Sequence, residues 1–297
     1  MKVKQYPLYL MLLPSLVFLA VFIYLPMYGL ILTFKTFTIS GGVFGSPWAK
    51  PWYANFWWLK DPEFWNVFRN TLKIAGIKFV TGFPAPIILA LLINEVRNGR
   101  FKRTTQTILY LPHFISWVIF AGIVYRILGG DSDSPINLLL GLFRVGPVDI
   151  LPVEKNFIPL LVITGLIKEV GWGTILYLAA ISSADPQLYD AASIDGCGQW
   201  KKAIHVTVPT IVPIVVIMAI LSLPGILSAG FDQLYNMQNS MVARASNVLD
   251  IYIIRIGIIG GQYSYAIAMG LFLQFISLGL VLVANKLSKR RWGYGLF

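Results

Sequence analysis

Residues suited to catalysis or metal binding are scarce in this sequence. It contains two histidines, His113 and His205, and neither has a second metal ligand close in sequence. The single cysteine, Cys197, cannot form an internal disulfide. The dipeptide Gly-Lys, which phosphate-binding P-loops require, never occurs. The sequence therefore predicts no catalytic residue, no metal site and no ATP site.

The polar segment Asp185–Pro209 has the most informative spacing in the chain. Asp185 followed by Pro186 is typical of a helix N-terminus, because aspartate caps free N–H groups and proline fits the first helical position. Gly196 predicts a left-handed helix stop, and a second short helix is expected from about Gln199 to the closing proline. The pattern predicts a compact helix–turn–helix, which either docks on another protein or covers its own neighbouring helices.

The composition indicates which elements carry this segment. Of the 297 residues, 57% are hydrophobic and only 12% are charged, and the mean hydropathy is +0.70. Soluble domains have about 25% charged residues, so the surface of a soluble globule could not be covered here. These values exclude a soluble enzyme, a disordered chain and a disulfide scaffold. The basic residues lie largely between apolar runs, which argues against a nucleic-acid-binding protein.

The apolar runs predict an all-α, polytopic membrane protein with six transmembrane helices, since a crossing helix needs roughly 20 apolar residues. The run at 251–259 is too short to cross. Residues 35–65 hold five of the nine tryptophans and are expected at or near the outer surface. The predicted spans are residues 8–34, 68–95, 105–128, 157–183, 209–231 and 263–287.

The distribution of charge predicts the orientation. Both termini, the turn at 97–103 and the segment at 185–208 fall on one side of a six-span chain. That side, with Glu95, holds twelve basic and four acidic residues, a net charge of +8 against +3 for the remainder. Positively charged segments stay in the cytoplasm. Both termini, including Lys2 and Lys4, are therefore predicted to be cytoplasmic.

The polar segment also resembles a known signature. Asp190, Ala191 and Ala192 are separated from Gly196 by three residues, and Gly196 is separated by nine residues from Val206-Thr-Val-Pro209. This spacing is similar to the EAA coupling motif of permease subunits of binding-protein-dependent ABC importers, with aspartate in place of glutamate. Residues 171–180, 230–235, 248–252 and 262–268 resemble the sugar-class permeases of the MalF/UgpA type, and within them the LplB-like polysaccharide permeases. The resemblance covers roughly residues 8–297.

The resemblance implies a type I ABC importer permease fold in a single domain of the bacterial cytoplasmic membrane. It implies four kinds of partner besides the lipid: a second permease, two ATPase subunits, an extracytoplasmic solute-binding protein and an oligosaccharide substrate. ATP and Mg²⁺ would bind the ATPase subunits, and this chain would hold no cofactor and catalyse no reaction. The residues expected to couple to the ATPase are Asp190, Ala191, Ala192, Asp195, Gly196 and Pro209.

Candidate residues for the substrate pathway are Lys168, Glu169 and Trp172 in the fourth span, and Asp232 and Tyr235 at the end of the fifth. Charge within a span is costly and usually faces a cavity or a partner. Sugar sites combine aromatic faces with a few polar groups. The alternatives are pairing at a permease–permease interface for Lys168 and Glu169, and a solvated or protein-binding loop for the other pair.

The substrate class remains open at this level. Basic residues at Arg69, Lys73, Lys78 and Lys168 would suit an acidic oligosaccharide such as an oligogalacturonide, although the first three could equally extend towards the headgroups. A secondary transporter or channel for a small polar solute is the alternative function. It would lack a coupling motif and would usually show repeated spans. A membrane-embedded enzyme would need a cluster of His, Asp, Glu or Cys within the spans.

Overall fold

A computed structural model of the chain describes residues 6–297, so the predicted roles of Lys2 and Lys4 lie outside the described residues. Within this range the chain is almost entirely helical. The described residues form no strand, and their sole extended pairing is an isolated bridge between Lys35 and Trp48. The prediction of an all-α protein is therefore confirmed.

Five helices are long and apolar enough to cross a membrane, and the pair Gly99–Phe114 and Trp117–Leu128, bent by 102° at its break, makes a sixth span if it is counted as one. A polytopic membrane protein is thus confirmed, with five membrane-spanning helices or six if this bent pair is one span. Short helical turns at Gly42–Gly45, Ala54–Lys60 and Ala243–Ser246 are left unnumbered. The numbered helices are α1 Tyr9–Phe34, α2 Pro62–Asn94, α3 Gly99–Phe114, α4 Trp117–Leu128, α5 Pro135–Leu142, α6 Glu154–Ser182, α7 Pro186–Ile194, α8 Gln199–Leu227, α9 Phe231–Met237, α10 Leu249–Ile254 and α11 Tyr263–Trp292.

Two prolines within long helices lie just after wide helical turns. Pro209 was expected to end the second short helix of the polar segment, but α8 continues through it. A π-helical turn at Ala203–Thr207 directly precedes it, and another at Ala20–Tyr24 precedes Pro26 in α1. Proline lacks the N–H that would bond to the preceding turn, and a π turn shifts that hydrogen bonding locally. The helix that carries the fifth span therefore begins at Gln199, ten residues before the predicted start of that span.

Helix α6 is the central element of the larger of two compact units, which comprises residues 66–251 and 276–297. Its buried positions follow one stripe at intervals of three or four residues, as an α-helix requires. Around Leu161 the stripe packs in an apolar cluster that includes Ile74, Leu234 and Val248. Towards its other end the stripe packs in a second cluster, with residues of α2 and α8.

The smaller unit contains residues 6–65 and 252–275 of the described chain. Its centre is the fully buried ring of Trp58, which packs against Phe64 with centroids 4.4 Å apart and against Phe272 at 5.1 Å. Arg255 donates to Glu63 at 2.6 Å. The tryptophan-rich segment after α1 is therefore a folded part of this unit.

The packing of α6 on α3 predicts that Gly171 cannot be enlarged. A Cβ at this position would overlap the backbone carbonyl of Leu109, whereas a Cβ at Gly165 in the same helix would make ordinary contacts with Gln233. Gly171→Ala should lower the stability by about 1–3 kcal/mol because the two helices must separate. Gly165→Ala is the control. Equal thermal unfolding midpoints for the two purified variants would contradict this packing.

Candidate functional site

The third span breaks at Ile115, and a buried lysine holds the break. Ser116 begins α4 by accepting a hydrogen bond from the N–H of Ile119 at 3.3 Å. The carbonyl of His113 lies just before the break and accepts a 2.8 Å hydrogen bond from the Nζ of Lys168 on α6. Because water is absent from a bilayer core, a carbonyl freed by a helix break needs such a donor. Lys168 is only 4% exposed.

An ionic network accompanies this contact. Glu169 accepts from Lys168 at 3.2 Å through Oε1, and its Oε2 lies 2.7 Å from the Nδ1 of His113. The imidazole of His113 stacks on Trp172, with centroids 4.4 Å apart and nearly parallel planes. The ammonium of Lys168 lies over the ring of Trp117 at 5.3 Å. His113 therefore has a close carboxylate partner from another helix, which sequence distance had concealed.

A second break follows α8 and has the same kind of support. Ala229 and Gly230 both have left-handed backbones, with φ of 52° and 85°. The Nζ of Lys78 on α2 donates to the carbonyl of Ala229 at 2.8 Å and to the Oε1 of Gln233 at 2.7 Å. A side chain at Gly230 would collide with this ammonium. Glycine therefore suits this turn because L side chains rarely adopt its left-handed backbone, and Lys78 satisfies the carbonyl that the turn leaves free.

Gln233 connects the second break to α6. Its Nε2 donates to the carbonyl of Leu161 at 2.7 Å and to the Oγ1 of Thr164 at 2.9 Å. Its Oε1 accepts from Lys78, so the fully buried amide is hydrogen-bonded at both ends. Satisfied buried polar groups of this kind make an arrangement rigid. Helices α2, α6 and α9 are thereby joined at one point.

Two cavities lie beside these breaks. One, of about 410 Å³, is lined by residues that include Lys78, Trp117, Glu169, Asp232 and Gln233. The other, also of about 410 Å³, shares Trp117 and Asp232 with the first and adds His113, Ser116, Lys168 and Asn236. Trp117 and Asp232 therefore border both cavities. An aromatic ring with charged and amide groups is the usual lining of a site for a polar organic ligand.

The five residues predicted for the substrate pathway lie in and around these cavities. Glu169 lines the first cavity, Lys168 the second, and Asp232 both. Trp172 does not line either one, but it stacks on His113, which does. Tyr235 is exposed and packs against Phe231 with centroids 5.1 Å apart. The charged pair on α6 meets its partners within the chain.

Sequence reasoning missed Trp117, placed Gln233 only beside Asp232 and Tyr235 at the end of the fifth span, and counted Lys78 only among general basic residues. The sequence does contain a signal for the first break, because Pro112 is followed by Ser116, a good helix N-cap, in the middle of an apolar run. Gly225 and Gly230 mark the second. Arg69 and Lys73 are exposed and line neither cavity, which leaves Lys78 as the lysine of α2 at the site.

The segment Asp185–Pro209 forms the helix–turn–helix that its spacing predicts. Asp185 caps α7 by accepting from the N–H of Gln187 at 2.9 Å. Gly196 has φ of 73°, and its N–H donates to the carbonyl of Ser193 at 3.1 Å. The N–H of Cys197 donates to the carbonyl of Ala192 at 2.9 Å, which completes a Schellman motif. The left-handed glycine therefore ends α7 and redirects the chain.

Two side-chain contacts join α7 to the start of α8. Lys202 donates to Ser193 at 2.6 Å, and the hydroxyls of Tyr189 and Thr207 lie 3.0 Å apart. The remaining surface is unusually apolar, with Ile194 87% exposed and Trp200 75% exposed. The predicted coupling residues Asp190, Ala191, Asp195, Gly196 and Pro209 are exposed, and Ala192 is half-buried. A folded helix–turn–helix that exposes large apolar side chains is typical of a protein-binding surface.

Comparison with known proteins assigns the family. The sequence pattern of the family described as "Binding-protein-dependent transport system inner membrane component" matches residues 82–292. The match includes both helix breaks and the helix–turn–helix. The chain belongs to this family and is therefore a multi-pass permease component of the cytoplasmic membrane. Among the described residues, no group of metal-binding side chains could hold an ion.

Two relatives from Bacillus subtilis (strain 168) match nearly the whole chain. Protein LplB is 38% identical over 290 residues, covering 98% of this chain and 91% of the relative. The polygalacturonan/rhamnogalacturonan transport system permease protein YteP is 37% identical over 297 residues, covering 99% and 91%. The predicted likeness to sugar-class permeases is confirmed.

Solved structures give the same result. A chain of a bacterial ABC transporter involved in the import of the acidic polysaccharide alginate superposes with a TM-score of 0.86, at 35% identity and 97% coverage of both chains. A bacterial alginate ABC transporter in complex with alginate pentasaccharide-bound periplasmic protein gives 0.87, at 35% identity and with 99% of this chain covered. The predicted ABC importer permease fold is therefore confirmed.

The ionic network at the first break predicts a coupling between Lys168 and Glu169. Glu169→Gln leaves the buried ammonium without its carboxylate and should lower stability by about 1–2 kcal/mol, less than for a fully buried pair because the carboxylate is half-exposed. Adding Lys168→Met to this variant should cost less than Lys168→Met does in the native chain. Thermal unfolding of the four purified proteins measures the coupling.

Glu154→Gln is the matched control, because Glu154 is an exposed carboxylate in the first turn of the same helix. Additive effects of the Lys168 and Glu169 substitutions would show that the two residues act independently.

Proposed function

We propose that this chain is one permease subunit of an ATP-driven importer for oligosaccharides. Membership of the binding-protein-dependent family, together with the paired cavities bordered by Trp117 and Asp232, supports this function most strongly. The rings of Trp117 and His113 offer apolar faces of the kind on which sugar rings pack, and nearby amide and charged groups can bond to hydroxyls. The two cavities form this subunit's part of the pathway, completed by a second, homologous permease.

The helix–turn–helix at 185–209 is proposed to dock on an ATPase subunit. Its exposed apolar residues, Ile194 and Trp200, would become buried there, and its internal contacts would let it move as one piece. Closure of two ATPase subunits around ATP and Mg²⁺ would displace this segment. Because α8 begins within it and continues across the membrane, the displacement passes directly to a span. In this proposal both termini and this segment lie in the cytoplasm. An extracytoplasmic binding protein would deliver the sugar.

An acidic oligosaccharide is the proposed substrate. In the first cavity Lys78 donates to two neutral acceptors, whereas the charge of Lys168 is balanced by Glu169. Among the described residues Lys78 forms no ion pair, so a uronate carboxylate could pair with it in the cavity that Glu169 and Asp232 also line. Relatives point the same way, since YteP is named for polygalacturonan and rhamnogalacturonan and the structural neighbours import alginate.

The substrate class can be tested in the importer reconstituted with its own ATPase, second permease and binding protein. Oligogalacturonides should stimulate ATP hydrolysis, and neutral oligosaccharides of equal length should stimulate it less, because they lack a carboxylate for Lys78. Stimulation by neutral sugars alone would reject an acidic substrate.

The turn at Gly196 predicts an uncoupled variant. A Cβ would meet no atom within 4 Å, so the cost of Gly196→Val comes from the left-handed backbone, which a β-branched residue strongly disfavours. The variant should hydrolyse ATP without a matching rate of sugar uptake, because the coupling turn changes shape. Uptake and hydrolysis are measured on the same vesicles.

Gly196→Asn is the matched variant, since asparagine tolerates this backbone conformation. It should retain most of the uptake. Normal uptake by Gly196→Val at a normal membrane level would contradict a coupling role for the turn.

A further inference from the structure

The segment after α1 presents a group of exposed aromatic rings that line neither of the two cavities. We call it the aromatic cap, and Trp52, at 65% exposed, is typical of it. The aromatic cap consists of Phe44, Trp48, Trp52, Tyr53 and Trp57. Large rings exposed together on a folded segment usually face a partner or a membrane.

The aromatic cap is held by hydrogen bonds from a buried lysine and a half-buried asparagine. The Nζ of Lys35 donates to the carbonyls of Val43 and Phe44, at 3.1 and 2.7 Å. The Nδ2 of Asn55 donates to the carbonyls of Thr33 and Lys35, both at 2.9 Å. Neighbouring Trp58 is fully buried beneath the segment. The exposure of the cap rings is therefore a property of an ordered structure.

The cap surface continues the surface of α1. Phe44 packs on Tyr28 within that span, with centroids 5.1 Å apart, and Trp52 packs on Phe34, its last residue, at 6.2 Å. Trp48 lies under the ammonium of Lys35, the next residue in the chain, at 5.3 Å. In α1 itself, no residue of the most apolar 18-residue stretch is buried. The exposed surface of α1 is thus joined to the cap by these ring contacts.

The charges of the cap fit phospholipid headgroups. Residues 35–60 contain no aspartate or glutamate. Their lysines are Lys35, which is buried in the cap, and Lys50 and Lys60, which are exposed. Tryptophan and tyrosine concentrate at the headgroup level because each ring has an apolar body and a polar edge, and exposed lysines are attracted to lipid phosphates.

We propose that the aromatic cap lies in the lipid headgroup layer at the C-terminal end of α1 and fixes the depth of that end in the bilayer. This role is independent of the transported substrate and of the orientation of the chain. The occupant of the aromatic surface is phospholipid, and the rings of Trp52 and Trp57 lie among headgroups and upper acyl chains.

Tryptophan emission from the complete importer tests this placement. It is measured in nanodiscs of ordinary phosphatidylcholine and in nanodiscs of phosphatidylcholine brominated near the headgroup. The emission lost on Trp52→Phe or Trp57→Phe measures each residue's contribution. Brominated lipid should quench that contribution, as for a ring at the interface. The contribution of Trp58, obtained from Trp58→Phe, should stay unquenched because its ring is buried in the same segment.

Equal contributions of Trp52 and Trp57 in the two lipids would overturn the proposal. Acrylamide quenching of tryptophan emission, with and without the solute-binding protein, provides a second measurement. It depends less on a substitution that could disturb the fold. Protection of Trp52 only when the binding protein is added would identify the cap as a protein-docking surface and would also overturn it. Protection by the bilayer alone is the expected result.

Discussion

Backbone carbonyl groups freed by helix breaks need hydrogen-bond donors, and the architecture of this permease depends on how they obtain them. Lys168 supplies the donor at the first break and Lys78 at the second. A membrane offers no water to replace these bonds, so irregular backbone persists at this depth only where the protein satisfies it. The lysines that first look like costly charges within the spans are therefore what makes the breaks possible.

The breaks in turn create the candidate pathway. Trp117 is the first residue after the first break, and Asp232 and Gln233 follow the second break. All three residues line the cavities. Because Gln233 joins the second break to α6, and α8 leads from that break to the helix–turn–helix, the cavity wall and the proposed ATPase contact belong to one connected set of helices. Alternating access would then require motion of ordered elements about these polar joints, as expected for discontinuous helices in transporters.

Composition and the lengths of the apolar runs predicted the all-α membrane fold, and local capping signals predicted α7 and the left-handed Gly196. These features depend on neighbours in sequence. The pairing of His113 with Glu169, and of Lys78 with Ala229, joins residues 56 and 151 positions apart, which no local pattern reveals. Pro209 misled because its effect depends on the π turn before it. The polar residues of the site were thus visible in sequence, but their partners were not.

The most direct test is substrate-stimulated ATP hydrolysis by the reconstituted importer carrying Lys78→Met, which keeps an unbranched side chain one atom shorter and removes the donors. Lys73→Met, at an exposed position of the same helix, is the control, and Lys78→Arg retains donors and charge. If Lys78 holds the cavity wall, Lys78→Met loses most of the stimulation at normal assembly of the complex, Lys73→Met keeps it, and Lys78→Arg keeps part of it. Full stimulation of the Lys78→Met importer would contradict this account.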